Sequence, residues 1–75
     1  MKILKENKKD FFKMIRNQYY AEKLSISANY ISNIYGGYGC SELIAKGLIS
    51  VRYKIPINDE RMPELLDEYF YEEKD

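Results

Sequence analysis

The sequence predicts an all-α fold, a compact bundle of about five short helices in one domain covering residues 1–75. Three observations predict it. Apolar residues cluster at helical spacing in separate segments, as at Phe11, Phe12, Met14 and Ile15 and again at Leu65, Leu66, Tyr69 and Phe70. Residues that start and stop helices stand between those segments, with Ser27 and Ser41 as N-caps and Gly36 and Gly37 as terminators. Finally, 75 residues with 45% apolar content suffice for one small core but not for two.

Lys5 to Arg16 reads as an amphipathic helix with lysines on its outer side, and Tyr19 to Leu24 as a short second helix. Ser25, Ile26 and Ser27 break the pattern. Ser27 then caps a third helix, Ala28 to Tyr35, in which Ile31 and Ile34 lie three apart on one face. Gly36 and Gly37 end it. Ser41 caps a fourth helix, with Glu42 in its first turn where the helix dipole favours negative charge. Leu43, Ile44, Leu48, Ile49 and Val51 supply its buried side, and Gly47 in its interior implies close contact with a neighbouring helix. Pro56 interrupts, since a proline disfavours helix at the residue before it. A last, acidic helix runs from about Asn58 or Pro63 to Glu72, within residues 58–73; its stripe Leu65, Leu66, Tyr69 and Phe70 serves the core or a dimer interface. A competing reading makes Val51, Tyr53, Ile55 and Ile57 a short alternating strand.

Composition narrows the function. There is no histidine, which removes the commonest general base and every Ser/His or Cys/His nucleophile pair. Cys40 is the one cysteine, so neither an internal disulfide nor a cysteine-based zinc site is possible, and an inert loop position is expected for it. The carboxylates of the end of the chain lack the alternation of a calcium loop. No catalytic residue, metal or cofactor is expected, and an enzyme is the least supported class. No segment approaches a signal peptide or a membrane span, so a soluble cytoplasmic protein is expected. Net charge is zero but unevenly spread. Residues 1–16 carry six cations against two carboxylates, residues 17–56 four against two, and residues 57–75 two against eight. A basic body suits a polyanion, and the acidic end would be held away from it.

The glycine-rich stretch Ile34 to Glu42 follows no strand and lacks the Gly-Lys-Ser/Thr ending of a nucleotide loop. It reads instead as a helix exit, a turn and the next helix cap.

Residues 17–36 carry the functional signal. Ala21 is small where two helices would touch, Leu24, Ile26, Ile31 and Ile34 fall where apolar side chains would plug the angle, and Ser25-Ile26-Ser27 makes a tight connection. This segment resembles the helix-turn-helix of Cro/CI-type (XRE, lambda-repressor-like) transcription regulators, with Ala21, Leu24, Ile26, Ser27, Ile31, Ser32 and Ile34 at the matching positions. The resemblance extends more weakly over Gly37 to Ile49, and it implies a lambda-repressor-like fold of phage or mobile-element type. Ser25 stands where that family usually has glycine, so a left-handed turn there costs more.

The resemblance implies a homodimer that binds double-stranded DNA at a two-fold-related operator and reads bases with helix 28–35. Base contacts fall to Ala28, Asn29, Ser32 and Asn33. Asparagine can pair bidentately with adenine, serine bonds several base edges, and alanine can touch a thymine methyl. Gln18, Ser27, Tyr30, Gly37, Tyr38 and Ser41 are backbone contacts, with exposed amides and the hydroxyls of Tyr30, Tyr35 and Tyr38 meeting phosphates, and Lys2, Lys5, Lys8 and Lys9 form a flexible arm. Helix 28–35 carries no Arg or Lys. That absence, the many tyrosines and the acidic end support a different class: a protein–protein inhibitor or adaptor on the same fold, such as an anti-repressor, antitoxin or anti-defence protein.

Overall fold

Apolar residues at both ends of the chain meet in a short antiparallel ladder that helical periodicity does not reveal. In a computed structural model, which describes residues 1–73, β1 (Lys2–Leu4) pairs with β2 (Phe70–Glu72) in the register Lys2↔Glu72, Ile3↔Tyr71, Leu4↔Phe70. Five α-helices lie between them: α1 (Lys9–Lys13), α2 (Asn17–Leu24), α3 (Ala28–Tyr35), α4 (Glu42–Tyr53) and α5 (Met62–Tyr69). The fold is therefore mostly helical but not all-α. The radius of gyration, 11.2 Å, matches the roughly 11 Å expected of a compact folded chain this long. Among the described residues no helix is long and apolar enough to cross a membrane.

The ladder also corrects the ends of the helical reading. The first helix does not run from Lys5 to Arg16. Lys5 is extended and donates its amide to the Tyr69 carbonyl, Glu6–Lys8 make a single 3-10 turn, and α1 is only five residues long. At the other end α5 stops at Tyr69, because an extended Phe70 both pairs with Leu4 and buries its ring. Only the last three residues of the helix expected to reach Glu72, Phe70 to Glu72, form a strand instead. The flexible arm is also overturned, since Lys2 sits in β1 and its amide and carbonyl are both bonded to Cys40. Cys40, expected in an inert loop, is fully buried beside that strand, and burial pushes its thiol up to about 11.

Other expectations hold. Ser27 and Ser41 cap α3 and α4 by accepting from the amides of Tyr30 and Ile44. A methyl group placed on Gly47 would lie 2.7 Å from Leu24 Cδ2, so α4 approaches α2 closely there. The strand proposed for Val51 to Ile57 does not form: Val51 to Tyr53 complete α4, and Lys54 ends it in a left-handed conformation. Before α5, the Asp59 carboxylate accepts from the Arg61 amide at 2.8 Å and from its guanidinium at 3.0 Å, which holds that carboxyl below its usual range.

The core is aromatic at one end. Tyr69 stacks on Phe11 at 5.1 Å, and Phe12 meets the edges of both Tyr69 and Phe70. Of the apolar stripe, Leu66, Tyr69 and Phe70 are buried and Leu65 packs partly buried against them, so the stripe belongs to the core. Tyr20 is buried with its hydroxyl donating to the Phe12 carbonyl at 2.7 Å, which satisfies the one polar atom of its side chain.

Candidate nucleic-acid interface

The connection between α2 and α3 is three residues long and held from both sides. Ser25 takes a left-handed conformation (φ 55°, ψ 43°), and its amide and that of Ile26 both donate to the Ala21 carbonyl. Ser27 then turns the chain into α3 through its side-chain cap, 3.0 Å from the Tyr30 amide. Ala21 is buried at the junction. These contacts fix where α3 begins.

Helical spacing then divides the surface of α3. Ile31, Ile34 and Tyr35 are buried, while Asn29, Ser32 and Asn33 are exposed on the other side, with Ala28 and Tyr30 half-buried at the margins. An amide that sequence reasoning missed touches this face: Asn17, the first residue of α2, donates from Nδ2 to Ser32 Oγ at 3.0 Å. That bond sets the orientation of the Ser32 hydroxyl and ties the start of α2 to the middle of α3. Its signal in the sequence was slight, a polar amide four residues before Ala21.

Among the expected backbone contacts, Ser27 and Ser41 are exposed, but their hydroxyls accept the capping bonds. Gln18 is exposed, with its amide turned along its own helix to Glu22 Oε1 at 3.3 Å. Tyr38 is 66% exposed and its ring is free to reach outward. The Gly37 and Tyr38 amides donate to the carbonyls of Ile34 and Asn33, so neither is an exposed donor for a phosphate. Gly37 contributes its positive φ of 103° to the helix exit instead. Tyr35 is buried, not outward-facing; its hydroxyl has no hydrogen-bond partner among the described residues, burial pushes its pKa up to about 12, and the Lys13 ammonium lies 5.3 Å from the ring centroid.

The lysines of the expected arm are engaged elsewhere. Lys2 pairs with Glu72 at 3.4 Å, Lys5 donates to the Asp67 carbonyl, Lys8 lies over the Tyr69 ring and Lys9 pairs with Glu6. Three of these four interactions join the first residues to α5 and β2. Chemically, the outer side of α3 offers two amides and a hydroxyl, both donors and acceptors, with no charge of its own. No protein-family model, curated protein or solved structure matches the chain.

Proposed function

We propose that the protein is a small sequence-specific DNA-binding transcription regulator that reads the major groove with α3, as one half of a homodimer on a two-fold-related operator. The observation that carries this reading is the uncovered row Asn29, Ser32 and Asn33 on a helix whose start is fixed by the Ser25–Ser27 turn and whose middle is tied by Asn17. A rigid helix with two outward amides can distinguish adenine by paired hydrogen bonds, while Ala28 offers a methyl to thymine. The lack of a cation on α3 turns the preference toward A·T-containing sites and away from the arginine–guanine contact. Ser41 and Tyr38 would then meet the phosphates beside it, as helix N-termini and hydroxyls commonly do. The role is that of a binding protein and not of an enzyme.

The test is fluorescence anisotropy on an A·T-containing duplex across a range of salt. Affinity should fall steeply with salt, and Asn29→Ala or Asn33→Ala should each cost about 1–3 kcal/mol and relax sequence preference. Absence of any binding at low salt overturns the reading. A second reading, a protein–protein inhibitor or adaptor, is favoured by the uncharged α3 together with the exposed carboxylates Glu64, Asp67 and Glu68 on α5. Under that reading, reversing the charge of Glu68 abolishes a partner complex and leaves DNA out of the picture.

A further inference from the structure

Eleven of the twelve lysines and arginines lie in the described residues. Nine of these hold a carboxylate, a carbonyl oxygen or a tyrosine ring. The remaining two, Arg16 and Lys54, hold none of these with their side chains, and both line the same hollow. It measures about 370 Å³, is bounded besides by Ile15, Tyr19 and Val51, and lies between the start of α2 and the end of α4. Ile15 and Val51 are half-buried and continuous with the core, while Tyr19 remains 46% exposed.

Lys54 is unusual in a second way. It closes α4 at φ 59°, ψ 46°, a conformation that glycine takes without penalty and lysine does not. The chain thus keeps a charged side chain at the rim of the hollow at a position where a smaller residue would be more comfortable. A phosphate needs cations but no apolar floor. A purely apolar ligand needs the floor but gains nothing from two unengaged cations. Both features together match a bulky apolar side chain with carboxylates on either side of it, and steering between opposite charges would select that partner over others. The chain's own surplus carboxylates fall within residues 57–75, and among the described residues of that stretch, 57–73, none lines the hollow.

We propose that this hollow docks a protein partner through an acidic segment whose bulky apolar side chain fills the space between Ile15, Tyr19 and Val51 while flanking carboxylates pair with Arg16 and Lys54. The proposal is independent of α3 and stands or falls separately from DNA reading. The probe is a fluorescein-labelled, end-capped hexapeptide with a central leucine and phenylalanine flanked by glutamates; its counterpart replaces the glutamates by lysines. Anisotropy with the full chain should show the acidic peptide binding and the basic one not. The double variant Arg16→Glu/Lys54→Glu should weaken the acidic peptide by about tenfold or more and gain the basic one, the signature of reversed charge complementarity. Tyr19→Ala, at an exposed position, should weaken the acidic peptide without altering the circular dichroism spectrum. Equal binding of both peptides overturns the proposal, as does binding of neither. It is also overturned if the double variant affects only duplex DNA binding, or only self-association in sedimentation equilibrium, since the cations then serve phosphates or a second copy.

Discussion

Among the described residues two other than glycine adopt positive φ, Ser25 at the end of α2 and Lys54 at the end of α4. Each places a Cβ close to its neighbouring carbonyl oxygen, a cost of roughly 1–2 kcal/mol that glycine escapes. Ser25→Gly and Lys54→Gly should therefore each raise the urea midpoint, with a gain of about 1 kcal/mol. A fall in stability for either variant would show that its side chain makes a contact worth more than the strain. The strain at Ser25 was readable from the sequence, where a serine stands in the tight connection. The strain at Lys54 was not, because the competing strand reading of Val51 to Ile57 ran through it. The outward position of Asn29, Ser32 and Asn33 was legible, since Ile31 and Ile34 alone fix which side of an eight-residue helix is buried. Asn17 was not, because its partner lies fifteen residues away on another helix.

At the scale of elements, the two caps test how much of the interface depends on helix geometry. Ser27→Ala and Ser41→Ala should each cost about 1 kcal/mol of stability, measured by urea unfolding; a neutral effect of both would mean the capping bonds are replaced by solvent without loss. The close approach of α4 to α2 makes a sharper case. Gly47→Val adds a branched side chain where Leu24 already sits 2.7 Å from the first added carbon, so it should destabilise by roughly 1–3 kcal/mol. If stability is unchanged, the helices are not locked at that point. The helices α2, α3 and α4 could be read nearly to their ends because caps and turn residues are local signals. The strands could not. Three residues are too few to display alternation, and Phe70 also completes a helical stripe with Leu66 and Tyr69, so only its pairing with Leu4, far away in the chain, decides its conformation. The same distance in sequence explains why the lysines of residues 2–9 looked like a free arm: what engages Lys2, Lys5 and Lys8 is at the other end.

At the scale of the whole molecule, the buried ionisable groups all favour neutrality. Burial raises the pKa of Tyr20, Tyr35 and Tyr69 from 10.0 and that of Cys40 from 9.0; Tyr69 is raised further by its hydrogen bond to Tyr53, and Tyr20 by its proximity to Tyr35. For an acid whose folded pKa lies above its unfolded one, the stabilisation is complete below the unfolded value and disappears as pH rises through the folded one. Stability should thus be unaffected by these four groups below about pH 8 and decline from about pH 9 upward, where thiol and phenols ionise in the unfolded chain first. Thermal midpoints measured from neutral to strongly alkaline pH, alongside the absorbance of ionised tyrosine, check this. A buried class of tyrosines that ionises without loss of structure would contradict it. With no histidine in the chain, no side chain switches charge near neutrality, so a loss of stability between pH 6 and 8 is not expected from the side chains.

The β1–β2 ladder has a consequence in time. Leu4 is synthesised long before Phe70, yet the two are direct partners, and Phe12 awaits the same ring. While the chain is being made, the helices in between can form from local signals, but the seam that covers Leu4 and Phe12 cannot. Completion of the fold is a late event that joins residues 2–4 to residues 70–72. A chain shortened to end before Phe70 should therefore be compromised at both ends together, with Leu4 and Phe12 losing their partner ring and β1 held by its bonds to Cys40.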